Sequence, residues 1–597
     1  MTAWSRLAAA AVKLPPPRTT AVSVERGLTA KMPDGVELLA DRWYPTDMAT
    51  ATAPTATSGA TATSGVPTVL IRTPYGRTIM GPLGRLYAER GYQVVVQSCR
   101  GTFGSGGEFV PVRNEQVDGR ATLDWVAAQP WFDGRLVMWG GSYLGMTQWA
   151  VAEDAPEFLK ALSFQVTAAN FRDSVVFPGG AFALETGLAW INEIKHQELG
   201  WRAILRTRLQ GAKVVAASSE VLPLGKCDSA ALGEPMAFYQ QWLEHSVPGD
   251  RWWDPVDFGR RLDHVPPASF IGGWYDLFLR AQVDDYEALR RAGRSARLTI
   301  GPWTHASPGL FAETVRDGPR WFDSQLHDAD PDGRAQPAPV RLFVMGSRTW
   351  QEFSLWPPAG TDERWYLGRD ATLSRGAPRD DDLPPDRYHY NPNDPTPSVG
   401  GPSLNASTAG RKDQQRRERR RDVLTYTSPP LTDDLTVIGP LTATLFVRSS
   451  RPHTDFFVRL CDVNEKGKSY NLSDGIIRLA PGEVDHADAA TAKAGDDHAE
   501  AEDDDGVRAV DITMWPTANT FKAGHRIRLQ VSSGAHPLFN RNAGTGEPLG
   551  TGATLRPADQ EIFHDATRPS SIVLHVVPLL EGGVMSGRGM GRTDPLG

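Results

Sequence analysis

One serine stands in a setting that suits a nucleophile. Leu136-Val-Met-Trp139 has the length and composition of a buried strand. Gly140 and Gly141 follow, then Ser142, then a run without breakers from Tyr143 to Ala150 that reads as a helix. Strand, glycine-lined turn, serine and helix is the layout of a nucleophile elbow. The glycines let the backbone turn sharply, so the hydroxyl stands at the strand tip above the first helical turn. The helix N-terminus behind it favours developing negative charge. One detail departs from the usual G-x-S-x-G: the last glycine is Gly145, one place late. An ordinary strand-to-helix turn would look much the same, so the rest of the chain has to supply a base, an acid and an oxyanion-binding group.

The acid and the base stand further along, and the oxyanion donors stand beside the serine and on an earlier loop. The strand Ala268–Ile271 ends in Gly272-Gly-Trp-Tyr-Asp276, and the next strand, Arg297–Ile300, ends in Gly301-Pro-Trp-Thr-His305. An α/β-hydrolase carries its triad in the order Ser, acid, His on loops that follow core strands. Parallel strands bring such ends to one edge of the sheet. Asp276 alone would read as a turn residue and His305 alone as a surface histidine. Their joint order reads as a triad. Ser142 attacks an acyl carbonyl, His305 takes its proton and returns it to the leaving group, and Asp276 holds the His305 tautomer. The backbone N–H of Tyr143 is one oxyanion donor. The second belongs on the loop after an early strand, here Arg72-Thr-Pro-Tyr75-Gly. That loop lacks the His-Gly-Gly-Gly of lipases, and Tyr75 is either a phenolic donor or a packed aromatic.

The elements that position these groups form an alternating series. Val22–Arg26 and Lys31–Ala40 read as a hairpin turning at Asp34-Gly35. Thr68–Arg72, Tyr92–Gln97 and Leu162–Val166 are strands, with helices over Leu83–Arg90 and Asn114–Ala128. Strands alternating with helices imply a parallel sheet. The glycine-rich Gly101–Gly107 lacks both G-x-G-x-x-G and a Walker lysine, so it reads as a strand-end loop. From about 171 to 248 strands give way to helices, near Ala183–Leu199, Trp201–Ala216 and Met236–Glu244. Alternation resumes and then yields after Pro331-Asp-Gly333 to short β-rich runs separated by Gly/Pro/Asp turns, a texture that suggests a jelly roll. The expected organisation is a disordered tail (1–20), an α/β-hydrolase domain (21–170 and 249–335), a helical cap insertion (171–248) and a C-terminal jelly-roll β-sandwich (336–597). Residues 47–65 read as a flexible loop, Arg411–Arg421 as a solvated basic face, and Ala487–Gly506 as a disordered acidic loop.

Bulk properties narrow the functions. The 597 residues carry a formal net charge of −8, which argues against nucleic acid as a partner. No stretch approaches the ~18–20 apolar residues of a membrane span, and the short Leu7–Val12 run makes a poor export signal. Three scattered cysteines follow no metal or redox spacing and fit a reducing cytoplasm. No metal and no cofactor is expected. The sequence leaves monomer and homodimer open.

Five motifs together resemble the cocaine-esterase and X-Pro dipeptidyl-peptidase (S15, CocE/NonD) family of serine hydrolases. They are Arg72-Thr-Pro-Tyr75, Gln97-Ser-Cys-Arg-Gly101 with Gly104-Ser-Gly-Gly107, Gly140-Gly-Ser-Tyr-Leu-Gly145, Gly273-Trp-Tyr-Asp276 and Gly301-Pro-Trp-Thr-His305. The likeness continues through Asp422–Leu431, Thr454–Phe456, Tyr470–Gly475 and Ala523–Leu529. It implies the triad above, Tyr75 as the second oxyanion donor, the late glycine as the family's own spacing, and an acyl pocket between cap, catalytic domain and jelly roll. Trp190 and Phe278 match aromatic positions that line this pocket, while a tryptophan expected near Val175 is absent. Phe177, Phe182 and Trp190 in the cap favour an apolar acyl group. The expected substrate is a small-molecule ester or a short peptide, with an esterase favoured over an X-Pro dipeptidyl-peptidase or α-amino-acid ester hydrolase. Those two would need carboxylates in the cap, for which Glu185, Glu193 and Glu198 are candidates. A non-catalytic carbohydrate-binding protein is the remote alternative.

Overall fold

A computed structural model describes residues 2–48, 65–199, 201–326, 338–481 and 505–578. Within the segment expected as a tail, Ala3–Ala11 form a helix, α1. Alanine has the highest helix propensity, and the Thr2 hydroxyl caps the first turn by accepting from Ser5 N at 3.0 Å. Ser5 Oγ donates to buried Glu89 at 3.0 Å, which ties α1 to the body of the protein.

Ten strands form the first sheet. β1 (Val22–Lys31) and β2 (Glu37–Pro45) make the hairpin, with Gly35 at φ 86° in its turn. β3 (Thr68–Thr73) and β4 (Gln93–Ser98) are buried at every position, which is why their sequences show continuous apolar runs and no alternation. β5 (Leu136–Gly141), β6 (Leu159–Gln165), β7 (Ala268–Tyr275), β8 (Ala296–Thr304), β9 (Val340–Val344) and β10 (Thr349–Phe353) complete it. The order is β1-β2-β4-β3-β5-β6-β7-β8-β9-β10. From β4 across to β9 neighbours run parallel, while β1, β2 and β10 join antiparallel. The C-terminal ends of β5, β7 and β8 therefore share one edge.

Helices α2 (Arg77–Ala88), α3 (Glu115–Ala127) and α4 (Tyr143–Ala152) follow β3, β4 and β5. The cap between β6 and β7 holds α5 (Leu184–His196), α6 (Trp201–Ser218), α7 (Cys227–Leu232) and α8 (Ala237–Glu244), close to the expected helical stretches. α9 (Leu279–Arg291) and α10 (Pro308–Leu326) follow β7 and β8. No described helix is long and apolar enough to cross a membrane.

The C-terminal region forms one eleven-stranded sheet that closes on itself, because Leu435–Ser449 pairs with both Arg508–Phe521 and Ser571–Val576. The pairings thus show a closed β-barrel. It docks on the first sheet through main-chain bonds: Met345 N donates to Ala518 O and Thr520 N to Met345 O, each at 2.9 Å. Tyr275 OH, at the end of β7, donates to Asn471 O at 3.2 Å.

The basic run 411–421 is not simply a solvated face. Arg417 is buried and donates to Pro397 O, Gln530, Ser532 and Gly534 O, so part of the run fills a polar niche beside the barrel. The loop over 47–65 and the acidic run 487–506 lie almost wholly outside the described residues.

Arg459 and Asp474 form a bidentate pair with side chains only 0% and 2% exposed. Removing one partner of such a pair strands a buried charge, at about 3–5 kcal/mol. Asp474→Ala should therefore lower the calorimetric unfolding midpoint of the barrel markedly. Glu561→Ala, which breaks pairs with half-exposed Arg448 and exposed Arg387, should lower it far less.

Candidate active site

At the end of β5 the chain turns through Ser142 at φ 56°, ψ −126°. A side chain in that region is strained by about 1–3 kcal/mol and persists only where its surroundings hold it. Here they do. Ser142 N donates to Gln165 O (2.9 Å) and Val166 O (3.2 Å) at the end of β6, and Gly145 N and Met146 N both donate to Ser142 O. Thr167 Oγ1 adds a third bond to Ser142 O at 2.9 Å. The glycine spacing follows from packing. A Cβ on Gly140 would stand 2.4 Å from Leu144 Cβ, so Gly140 makes room for a full side chain two places after the serine. A Cβ on Gly145 would stand 2.4 Å from Thr167 Cγ2. The late glycine is thus the close approach that lets Thr167 reach the turn.

Asp276 and His305 sit just past and beside the ends of β7 and β8. Asp276 is fully buried; its Oδ1 accepts from Phe278 N at 2.8 Å and its Oδ2 pairs with His305 Nδ1 at 2.7 Å. Burial disfavours the imidazolium, but the Asp276 charge and hydrogen bond outweigh it, with a smaller push from Glu193. The net effect raises the His305 pKa above its usual value. Ser142 Oγ makes no hydrogen bond among the described residues; such contacts commonly tighten only when substrate binds.

Ser142, Tyr75 and Tyr143 line a cavity of about 500 Å³, counted to its open mouth. Its walls are apolar. Phe171, Phe182, Trp190, Trp242 and Phe278 supply aromatic faces, and Val175, Leu277 and Leu404 fill between them. Trp190 Nε1–H donates to the Tyr75 phenolic oxygen at 3.0 Å, which fixes the phenol and leaves its own proton to be donated elsewhere. Burial raises the Tyr75 pKa, nearby Glu193 adds to this, and the Trp190 bond only partly opposes it, so the phenol stays protonated. Tyr143 opens α4, where its N–H lacks an intrahelical acceptor. Its hydroxyl is held between Val112 N (2.9 Å) and Glu115 (2.8 Å), and Glu115 in turn pairs with fully buried Arg72 at 2.7 Å.

Residues 34–307 match the X-Pro dipeptidyl-peptidase (S15 family) domain, and residues 333–573 match the X-Pro dipeptidyl-peptidase C-terminal non-catalytic domain. The chain is 31% identical to cocaine esterase from Rhodococcus sp. strain MB1 Bresler, over 93% of this chain and 99% of that one. It belongs to the S15 family of serine hydrolases. Solved structures share its fold. An α-amino acid ester hydrolase superposes with TM-score 0.74 at 22% identity, covering 94% of this chain and 98% of that one. A CocE/NonD family hydrolase from Staphylococcus aureus gives 0.66 at 16%, covering 94% and 97%.

Within this S15 chain, Ser142, Tyr75, Tyr143, Trp190 and Phe278 come together at the cavity, and His305 packs against Phe278 with ring centroids 5.7 Å apart. Phe177 does not join them. It is 1% exposed and packs behind the wall on Phe182 (5.5 Å) and Trp253 (6.1 Å), because the turn at Phe177-Pro178 points it into the cap core. Val175 lines the cavity where an aromatic was expected. Of the three carboxylates, Glu185 is buried and bonded to Ser403 and Thr408, Glu198 accepts from Phe103 N, and Glu193 is exposed. Sequence reasoning missed Trp242, Leu404 and the Trp190–Tyr75 bond. The Met236–Glu244 helical stretch could have flagged Trp242 as inward-facing; Leu404 lies in a loop with no pattern.

Two outcomes check this geometry. Gly145→Ala should lower the unfolding midpoint in calorimetry by the equivalent of about 1–3 kcal/mol of overpacking. By proton NMR, His305 should titrate above the ordinary value of about 6.5, and Asp276→Asn should bring it down, since burial then acts without its counter-charge.

Proposed function

We propose that the protein cleaves carboxylic esters of a small apolar acyl group through an acyl-enzyme on Ser142. The observation that carries the reading is the apolar cavity that opens on a strained serine, with Phe278 of its wall packed on His305, which is paired with buried Asp276. Ser142 Oγ forms a bond to the acyl carbon while His305 Nε2 takes its proton. The tetrahedral oxyanion is held by the Tyr143 N–H and the Tyr75 hydroxyl. Collapse breaks the bond to the leaving oxygen, which receives the proton from His305; water then repeats the sequence and frees the acid. Asp276 holds the proton-bearing Nδ1 in place and stabilises the imidazolium. No step calls on a cofactor or a metal.

We read the catalytic domain as an α/β-hydrolase and the barrel as a flattened jelly roll. The sheet order supports the first and the two-faced pairing of Leu435–Ser449 is compatible with the second. Three free, buried cysteines support a reducing, cytoplasmic setting. The partner is a small-molecule ester; the net charge of −8 disfavours nucleic acid.

The second reading is hydrolysis of an amino-acyl ester or an X-Pro peptide. Glu193 favours it, since it is exposed and its charge reaches both Tyr75 and His305. Burial of Glu185 against the 403–408 loop disfavours it. A paired panel decides: aryl esters of benzoate, acetate and butyrate against Ala-Pro and Gly-Pro anilides. The esters should be turned over faster, and hydrolysis of the anilides alone would reverse the ranking. Ser142→Ala should lower kcat by about 10⁴-fold or more. Tyr75→Phe should cost about 10²–10³-fold, and an effect below a few-fold would remove its hydroxyl from the mechanism.

A further inference from the structure

The cap and the barrel meet at a carboxylate that the reaction does not use. Glu185, in the first turn of α5, is 5% exposed. No salt bridge reaches it among the described residues, and an unpartnered buried carboxylate is costly. Its partners come from the other domain. Ser403 Oγ donates to Oε2 at 2.8 Å and Thr408 Oγ1 to Oε1 at 3.3 Å.

Both hydroxyls belong to a loop with a closed neck. Gly401 and Gly410 exchange two main-chain hydrogen bonds of 2.9 Å. Asn471 of the barrel donates to Gly410 O at 3.1 Å and so fixes the neck. Between these ends the loop carries Leu404, which lines the cavity together with Ser142 and Phe278. Leu404 is the neighbour of Ser403, so the bond to Glu185 sets where Leu404 stands. Without that bond the loop is anchored to the barrel at its neck alone, and the cavity wall it supplies is not.

We propose that Glu185 is a positioning residue for acyl specificity, tying the 401–410 loop to the cap so that Leu404 closes the acyl pocket. The proposal rests on the esterase reading of the same site. It acts on bulky acyl groups, whose far end meets the wall. An acetyl group occupies only the region beside the oxyanion donors and does not depend on it.

The test compares kcat/KM for aryl benzoate and aryl acetate in Glu185→Ala, Glu185→Gln, Leu404→Gly and the Glu185→Ala/Leu404→Gly double variant. Glu185→Ala and Leu404→Gly should each lower benzoate turnover about 10-fold or more while acetate changes less than about threefold, as loss of an apolar contact implies. The double variant should be no worse than the poorer single one, because both changes remove the same wall. Glu185→Gln should recover most of the activity, since its amide oxygen still accepts from a hydroxyl. If Glu185→Ala fails to fold, Ser403→Ala/Asn405→Ala/Thr408→Val removes its loop partners from the other side and should give the same benzoate-selective loss. Equal losses on both esters, or single effects that multiply in the double variant, would overturn the proposal. A wild-type enzyme that turned over neither ester would instead overturn the esterase reading on which it rests.

Discussion

Everything at this site hangs on the backbone of one residue. Ser142 is held at φ 56°, a conformation that a side chain avoids unless its surroundings impose it. The surroundings are the end of β6 and the two residues after it: Gln165 and Val166 take the Ser142 N–H, and Thr167 bonds its carbonyl. The parallel register of β5 on β6, with Gly141 opposite Gln165, is therefore a condition of the site. Beneath it, Trp149 of α4 stacks on Phe164 of β6 at 4.2 Å between ring centroids, so the helix that follows the serine is packed onto the strand that holds the turn. Two missing Cβ atoms, at Gly140 and Gly145, allow that packing to close.

From the turn outward, the pocket is built from three bodies of chain far apart in sequence. The sheet edge supplies Ser142 and Phe278, the cap supplies Trp190, and the 401–410 loop on the barrel side supplies Leu404. Trp190 is the joint between the first two. Its indole N–H holds Tyr75, and its ring stacks against Tyr143 at 6.1 Å and Trp242 at 6.1 Å. Below, the buried Arg72–Glu115 pair holds the Tyr143 hydroxyl. Such a pair adds little net stability, but it cannot be half removed without leaving an uncompensated charge. Of the two tyrosines proposed as oxyanion donors, Tyr75 is fixed by Trp190 in the cavity wall and Tyr143 by Val112 and Glu115 behind it, and donors held in place beforehand are the condition for electrostatic preorganisation.

Local signals in the sequence carry much of this. Strand–glycine–serine–helix, and an acid and a histidine past two later strands, are readable because each depends on residues close together in the chain. The same holds for the cap helices. What could not be read depends on contacts between distant segments. Gly145 looked displaced because Thr167, which requires it, lies 22 residues on. Phe177 carried the right composition for the pocket but packs behind its wall on Phe182 and Trp253. The run around Arg417 looked solvated because charge density says nothing about the main-chain and side-chain oxygens that the barrel brings to it. The alanine-rich N-terminus is a short, weakly apolar run that reads as a tail, yet one cap and one bond to Glu89 seat it as a helix.

The central claim is that the strained serine is the nucleophile. Mass spectrometry of the protein after reaction with an alkyl fluorophosphonate tests it most directly. One phosphonyl group should be found, on the peptide that contains Ser142, and none on the Ser142→Ala variant. Absence of a covalent adduct on the native protein, or an adduct that survives Ser142→Ala, would contradict the account.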